Sequence, residues 1–223
     1  MERRCREALA ASSKGQSKTE LYRRTRLLGE ILMEAKAWRG SLAMLDGALL
    51  LAKETEQKAK SLGYLHLLKA KALHAQKGGE NGFVAEADET VAAEILGELD
   101  SAKRLLHQRP LSHGYLSDVA YLKAFWLLKT KAEETDEIAE LISQALDMAE
   151  NSPTRLQRIA LLQAQNMPSF EALKFLQVVE TKTRASEGAH SPRLIGVYAM
   201  ADKIGGGKEW GDKLASLSQN ISY

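Results

Sequence analysis

Two amphipathic helical patterns that meet at a short break constrain this chain more than any other feature. The patterns fill residues 27–53, and the break lies near residues 36–40. Gly29 in the first pattern is expected where the partner helix comes close. Apolar residues of the second pattern recur at helical spacing and form one face: Leu42, Leu45, Ala48 and Leu49. A helix pair cannot bury such faces alone, so we expect it to stack on a neighbouring pair.

Small and large residues alternate in a recognisable order along residues 22–53. The small residues are Gly29 and Ser41. The large residues, and the alanine that follows them, are Leu28, Leu32, Trp38, Leu45 and Ala48. This order resembles the tetratricopeptide repeat (TPR), a helix–turn–helix of about 34 residues. The match departs at Lys53, where the family often has proline. The resemblance implies an α-α superhelix, a right-handed solenoid.

The rest of the chain keeps the alternation of helical patterns and breaks. We count about ten antiparallel helices and no convincing strand, which predicts an all-α fold. We expect a single helical-repeat domain over residues 1–223. Its parts include an N-terminal helix and loop at 1–18, an inserted loop at 78–89 and C-terminal capping helices at 193–223. The alternative is an ordinary antiparallel helical bundle.

Two further segments carry specific structural expectations. Residues 184–192, RASEGAHSP, predict a loop because small and turn-forming residues cluster there. The helix that follows Pro110 contains Phe125, Trp126 and Leu127 in succession. Its apolar residues cover nearly the whole circumference, which predicts a helix buried on all sides.

Composition and chain ends favour a cytoplasmic or nuclear protein. The single cysteine, Cys5, excludes an internal disulfide framework. No stretch approaches the ~18 consecutive apolar residues of a membrane span, so no membrane contact is expected. The chain begins Met-Glu-Arg-Arg without an apolar segment, so we expect no secretory signal.

Positive charge is concentrated near the N-terminus. The whole chain carries +2, whereas residues 1–26 hold eight cations against three anions. The basic segment is either a solvated face or a docking patch for an acidic partner. Tyr22 is the only aromatic residue in it, and no nucleic-acid-reading motif is present, so nucleic acid is not expected as a partner.

No arrangement of residues predicts catalysis, a cofactor site or a metal site, so we expect no enzyme. His66 and His74 lie eight residues apart, not at the i, i+4 spacing of a helical zinc site. We expect all five histidines to be exposed. Glycines 205–207 precede Lys208 but lack the spacing and the hydroxyl residue of a phosphate loop.

The resemblance implies a protein–protein interaction scaffold or adaptor that holds a peptide or helix of its partner in a concave groove. In the family the first helix of each pair lines this groove. Transferred to the first helix of the repeat at 22–53, the family's groove positions imply these partner-binding residues: Arg23, Arg26, Glu30, Met33 and Glu34. One subclass holds a C-terminal carboxylate with a lysine and an asparagine. Arg26 takes the lysine position, but Glu30 replaces the asparagine and would repel a carboxylate, so no acidic tail should bind.

Two other functions stay open. One is a structural subunit or fragment of a larger multiprotein assembly, similar to helical arms of the proteasome lid over residues 20–77. Such a chain would associate, or form a homo-oligomer, through exposed end helices. The other is an enzyme or ligand-sensing regulatory domain with a pocket lined by Trp38, Trp126 and Trp210, although single tryptophans on apolar faces are usually core.

Overall fold

The described part of the chain is all-α in the computed structural model. It covers residues 17–77, 88–107, 112–131, 133, 135–149 and 152–221, and within it there are ten helices and no strand. The all-α prediction is confirmed. The predicted N-terminal helix and the inserted loop lie almost wholly outside the described residues. None of the described helices combines the length and the apolar character needed to cross a membrane.

The chain divides into two compact units, Met1–Ala132 and Glu133–Tyr223. The described helices of the first unit are α1 (Lys18–Glu34), α2 (Trp38–Glu54), α3 (Ala59–Gln76), α4 (Glu89–Leu106) and α5 (His113–Thr130). Those of the second unit are α6 (Thr135–Asp147), α7 (Pro153–Gln165), α8 (Ser169–Glu187), α9 (Leu194–Lys203) and α10 (Lys208–Ile221). This division does not test the expected single domain over residues 1–223, which stays a prediction.

In the first unit each helix packs against the next helix along the chain. α1 also contacts α3, and α3 also contacts α5. The core between α1, α2 and α3 consists of leucines and alanines with one tyrosine: Tyr22, Leu45, Ala48, Leu49, Ala52, Leu65, Leu68 and Ala72. Three residues of the apolar face predicted for α2 belong to this core, namely Leu45, Ala48 and Leu49. The fourth, Leu42, is partly buried and packs against the core. This packing makes the odd-numbered helices of the unit neighbours.

Small residues let α1 and α2 approach each other closely. A Cβ atom on Gly29 would lie 3.1 Å from Leu45 Cδ2 and 3.4 Å from Met44 Cβ. At the same place the buried Ser41 hydroxyl donates a hydrogen bond to the Gly29 carbonyl oxygen at 2.9 Å. The prediction that Gly29 marks a close approach is confirmed, and Ser41 joins the two helices with a buried polar contact.

The break between the first two helices lies slightly earlier than predicted. α1 ends at Glu34 and α2 begins at Trp38. The turn contains Lys36 with a φ of 55°. Gly40 lies inside α2, where an added Cβ would be 3.4 Å from Leu32 Cδ1. Gly40 is therefore a packing residue of the helix pair rather than part of the turn.

The helix predicted to be buried on all sides is α5. Ten of its residues are buried: Gly114, Leu116, Ser117, Val119, Ala120, Leu122, Ala124, Phe125, Trp126 and Leu127. These positions spread around the helix instead of forming one stripe, so the burial prediction is confirmed.

In the second unit, α8 continues to Glu187, so the predicted loop over residues 184–192 is wrong at its start. Arg184 Nε donates to Glu180 Oε1 one turn earlier at 3.0 Å, and its Nη2 donates to the Tyr198 hydroxyl at 2.8 Å. These contacts stabilise the last turns of the helix. Gly188, with a φ of 89°, then ends it.

A buried carboxylate ties α8, α9 and α10 together. Glu180 accepts hydrogen bonds from the Tyr198 hydroxyl of α9 at 3.0 Å and from Lys213 Nζ of α10 at 3.3 Å. Trp210 and Leu217 of α10 pack in the same core as Tyr198. The helices predicted at 193–223 are therefore present and contribute to the core of the second unit.

Two glycines offer a matched test of the packing. An added Cβ on Gly63 of α3 would lie 2.9 Å from Leu106 Cγ and 3.1 Å from Leu105 Cβ on α4, whereas at exposed Gly97 it would meet nothing within 4 Å. Gly97→Ala should stabilise the chain by about 0.5–1 kcal/mol through helix propensity. Gly63→Ala gains the same propensity, but overpacking should outweigh it by about 1–2 kcal/mol. Urea unfolding of both variants measures the difference. A stabilised Gly63→Ala variant would contradict the close α3–α4 approach.

Candidate partner-binding face

One surface of the first unit combines residues from α1, α3 and α5, and we call it the odd-helix face. It consists of Arg26, Glu30, Met33, Tyr64 and Tyr115. The rings of Tyr64 on α3 and Tyr115 on α5 lie 5.0 Å apart between centroids, with their planes tilted by 45°. Met33 on α1 and Tyr64 are partly buried against the same core. This face is therefore built from three helices and supported by the core beneath it.

Arg26 and Glu30 form a half-buried ion pair on α1 without an aligned hydrogen bond. Arg26 Nε lies 3.3 Å from Glu30 Oε1. Both atoms are buried, and neither makes an aligned hydrogen bond to a described residue. The buried Tyr22 hydroxyl, one turn before Arg26, also has no hydrogen-bond partner in the described part of the chain. An unsatisfied buried polar atom destabilises a fold by about 1–3 kcal/mol. That cost applies to the Tyr22 hydroxyl, whereas Arg26 and Glu30 compensate each other's charge without an aligned hydrogen bond.

Tyr64 connects the ion pair with the aromatic residues. Its burial, the Glu30 carboxylate and the neighbouring Tyr115 raise the pKa of Tyr64 to about 12. The hydroxyl therefore stays protonated under ordinary conditions and can both donate and accept a hydrogen bond. Lys71 Nζ of α3 also donates to Asp118 Oδ2 of α5 at 2.5 Å, which ties together the two helices that carry the tyrosines.

The structure separates the five residues proposed for partner binding into two groups. Arg26, Glu30 and Met33 are half-buried and belong to the odd-helix face, whereas Arg23 and Glu34 are exposed. Their role in binding stays a prediction. Sequence reasoning missed Tyr64 and Tyr115, because no local pattern pairs residues from two different helices. In the TPR family the first helix of each pair lines the groove. Extended to α3 and α5, this rule points to the two helices that carry these tyrosines.

The expectation that all histidines are exposed is wrong for two of the five. His74 is buried, with its ring 4.9 Å from the Phe125 ring and 6.0 Å from the Trp126 ring. The side chain of His66 is 20% exposed, and its Nδ1 lies 2.6 Å from Glu98 Oε2. Both residues lie on α3, which is covered by helices on either side along the chain, and a single-helix pattern does not reveal that coverage.

His66 belongs to a charged cluster that joins α2, α3 and α4. Lys69 Nζ lies 3.0 Å from both Asp46 Oδ1 and Glu98 Oε1, and 3.5 Å from Glu94 Oε1. Burial alone would lower the pKa of Lys69, but the carboxylates outweigh it and raise that pKa above its usual value. Lys69 is therefore a charged ammonium group at neutral pH, which is the opposite of what a nucleophilic or basic lysine requires.

The three tryptophans lie in different surroundings. Trp126 and Trp210 are buried in the cores of the first and the second unit, respectively. Trp38 is half-buried and lines an open depression of about 530 Å³ with Arg39 and Gln76 among its neighbours. No group of three histidine, cysteine or acidic side chains is arranged to hold a metal ion among the described residues.

Replacement of Glu98 by glutamine tests the charged cluster through its pH dependence. Burial favours the neutral carboxyl, but hydrogen bonds from His66 and Lys69 outweigh it and hold the pKa of Glu98 below its usual value. Its charge therefore stabilises the fold above the ordinary glutamate pKa, near pH 4.5, and this stabilisation disappears as pH falls through the lower folded-state value. Glu98→Gln should destabilise the chain by about 1–2 kcal/mol at pH 7.

Urea unfolding of the wild-type chain and the variant should show the difference at pH 7 and a smaller one as the pH falls below the ordinary glutamate pKa. Glu94→Gln is the control, because its side chain is 49% exposed and 3.5 Å from Lys69. It should change stability by less than about 0.5 kcal/mol. Equal effects of the two substitutions would show that Glu98 has no special role.

Comparison with known proteins assigns no family to the chain. No protein-family model matches it, and no curated protein matches it. Its function therefore has to be argued from the geometry of the two units.

Proposed function

We propose that the chain is a protein–protein interaction scaffold or adaptor that binds a segment of its partner on the odd-helix face. In this proposal α1 to α5 form a TPR-like right-handed solenoid, and the odd-numbered helices line its concave groove. The order of packing supports it: each helix contacts the next, and α1–α3 and α3–α5 contacts place the odd helices side by side. A closed bundle would add contacts between more distant helices.

The observation that carries the proposal is the half-buried Arg26–Glu30 ion pair beside two tyrosines. Arg26 Nε and Glu30 Oε1 have no aligned hydrogen bond within the described residues. A partner's peptide groups would supply a carbonyl acceptor for Arg26 and an amide donor for Glu30. The tyrosines provide rigid contact area with a polar tip, which interfaces favour. A partner segment would thus add polar and aromatic contacts on the accessible part of this face.

The ion pair also defines the kind of segment that fits. Because Glu30 lies 3.3 Å from Arg26, the positive charge of Arg26 is largely compensated. A neutral main chain or an uncharged side chain suits this pair better than a lone carboxylate does. The geometry thus supports the expectation that an acidic C-terminal tail is not captured.

The experiment that tests the proposal is affinity purification of the intact chain followed by mass spectrometry and a direct binding measurement for each partner found. The Arg26→Ala/Glu30→Ala double variant should bind the partner at least about tenfold more weakly, because both hydrogen-bonding groups and their stems are lost. Both residues are half-buried, so circular dichroism must first show that the variant keeps its helices.

The control variant is Arg24→Ala/Glu20→Ala. It removes the same two residue types at the same spacing from the exposed side of α1, where Arg24 Nε lies 3.0 Å from Glu20 Oε1. Partner binding should be unchanged. A partner that binds the Arg26/Glu30 variant as tightly as wild type, or that is lost only with the control variant, would exclude the odd-helix face as the binding surface.

A second candidate function, a structural subunit of a larger assembly, is favoured by exposed apolar residues. Leu27 and Ile31 on α1 are 53% and 52% exposed, and Leu50 on α2 is 64% exposed. Leu27 and Ile31 are one turn apart and form a small apolar strip on the exposed side of α1. Such a strip gains free energy when another subunit covers it.

Light scattering of the purified intact chain tests this candidate. If the strip mediates self-assembly, the molar mass will rise with concentration, and Ile31→Asp will return the chain to a monomer because a charge cannot be buried there. Lys18→Asp on the same helix is a charge-changing control at an already exposed position. A wild-type chain that stays monomeric throughout excludes self-assembly through this strip.

A further inference from the structure

The second unit has an apolar groove between α7 and α8 that is separate from the odd-helix face. We propose that this groove binds an amphipathic helix of a partner protein whose apolar stripe is flanked by acidic side chains. The groove has a volume of about 310 Å³. Among its lining residues, Ala160 is buried, Phe175 and Val179 are partly buried, and Leu156 and Val178 are 37% and 51% exposed. The surface is therefore apolar and open to a partner.

The dimensions of the groove suit a helix. Its α8 wall extends from Phe175 to Glu187, which is about 18 Å or slightly more than three helical turns. Most of both walls is regular helix, whose backbone groups already bond within the helix. An extended peptide would gain no main-chain hydrogen bonds there, as it does at a sheet edge. A helical partner needs none and can place apolar residues at i, i+4 and i+7 into the groove.

The charge of the groove selects acidic flanks. Arg193 and Glu187 at one end pair with each other. Lys182 lies on the α8 wall, is exposed, and forms no ion pair with a described residue. Among the described residues that line the groove no other is charged, so the uncompensated charge that they carry is positive. A glutamate or aspartate beside the partner's apolar stripe would meet Lys182, whereas a lysine would be repelled.

The end of the groove is held in place by a network around Arg193. Its Nη2 donates to Thr154 Oγ1 of α7 at 3.2 Å, and Gln157 Nε2 of the same helix donates to the Arg193 carbonyl oxygen. The Ser191 hydroxyl donates to Glu187 Oε2 at 2.7 Å. The connection from α8 to α9 is thereby fastened to α7 before any partner arrives. Such preorganisation reduces the entropy lost on binding.

A pair of synthetic helical peptides tests the proposal with the intact chain. One fluorescein-labelled peptide of about four turns carries leucine at i, i+4, i+7 and i+11 with glutamate on both flanks. Its twin has lysine in place of every glutamate. Fluorescence anisotropy at low salt should show binding of the glutamate peptide, and binding of the lysine peptide about threefold or more weaker.

Two variants with matched controls locate the binding surface. Val178→Asp should weaken binding of the glutamate peptide about tenfold or more, because it places a charge in the apolar contact. Phe170→Asp changes an apolar residue of the same helix that is 68% exposed and outside the groove, and should leave binding unchanged. Lys182→Glu should reduce or reverse the preference between the two peptides. Arg158→Glu, on an exposed part of α7 outside the groove, should not.

Several outcomes overturn the proposal. They are absence of binding by the glutamate peptide, equal binding of both peptides, and binding that survives Val178→Asp. Self-association that Val178→Asp abolishes would assign the groove to a second copy of the chain and also overturns the proposal. The Arg26→Ala/Glu30→Ala variant should bind the peptide normally, so failure of the groove and failure of the odd-helix face are separate results.

Discussion

Close approach of helices at residues without bulky side chains is the constraint on which the first unit depends. At Gly29, α1 comes near enough to α2 for the Ser41 hydroxyl to reach a backbone carbonyl 2.9 Å away. At Gly63, α3 lies against Leu105 and Leu106 of α4 at distances that leave no room for a methyl group. These close approaches produce two tightly packed helix pairs, α1–α2 and α3–α4. The contact between α2 and α3 joins the pairs and brings α1 beside α3. Arg26, Glu30 and Tyr64 thereby lie on one surface.

The Glu180 cluster and the Arg26–Glu30 pair differ in how completely their buried polar atoms are hydrogen-bonded. Glu180 is 8% exposed, and the carboxylate is fully used by Arg184, Tyr198 and Lys213. A satisfied carboxylate of this kind positions helices and has no capacity left for a ligand. Arg26 and Glu30 leave one buried polar atom each without an aligned partner. That contrast favours the odd-helix face over the Glu180 cluster as a place where another molecule adds contacts.

The helices themselves could be predicted from the sequence, because glycines, prolines and helical spacing are local signals. Gly29 and the burial of α5 were predictable for the same reason. The run from Arg184 to Glu187 was not, since Arg184 is held by Tyr198 of the next helix.

The burial of His74 and the contact between Tyr64 and Tyr115 also depend on which helices become neighbours. The α7–α8 groove was not predicted either. In the sequence, Val178 and Leu156 are ordinary apolar residues of amphipathic helices, and only the packing of α7 on α8 brings them to one cleft.

Packing of each helix on its successor has a consequence for how the first unit folds. Each helix contacts mainly the next one along the chain. The loop that must close before two helices can pack is therefore short, and little entropy is lost before packing contacts form. A helix pair such as α1–α2 or α3–α4 can start the process, and its neighbours can add to it one at a time. We therefore expect this unit to fold quickly and to open from its end helices before its middle helix.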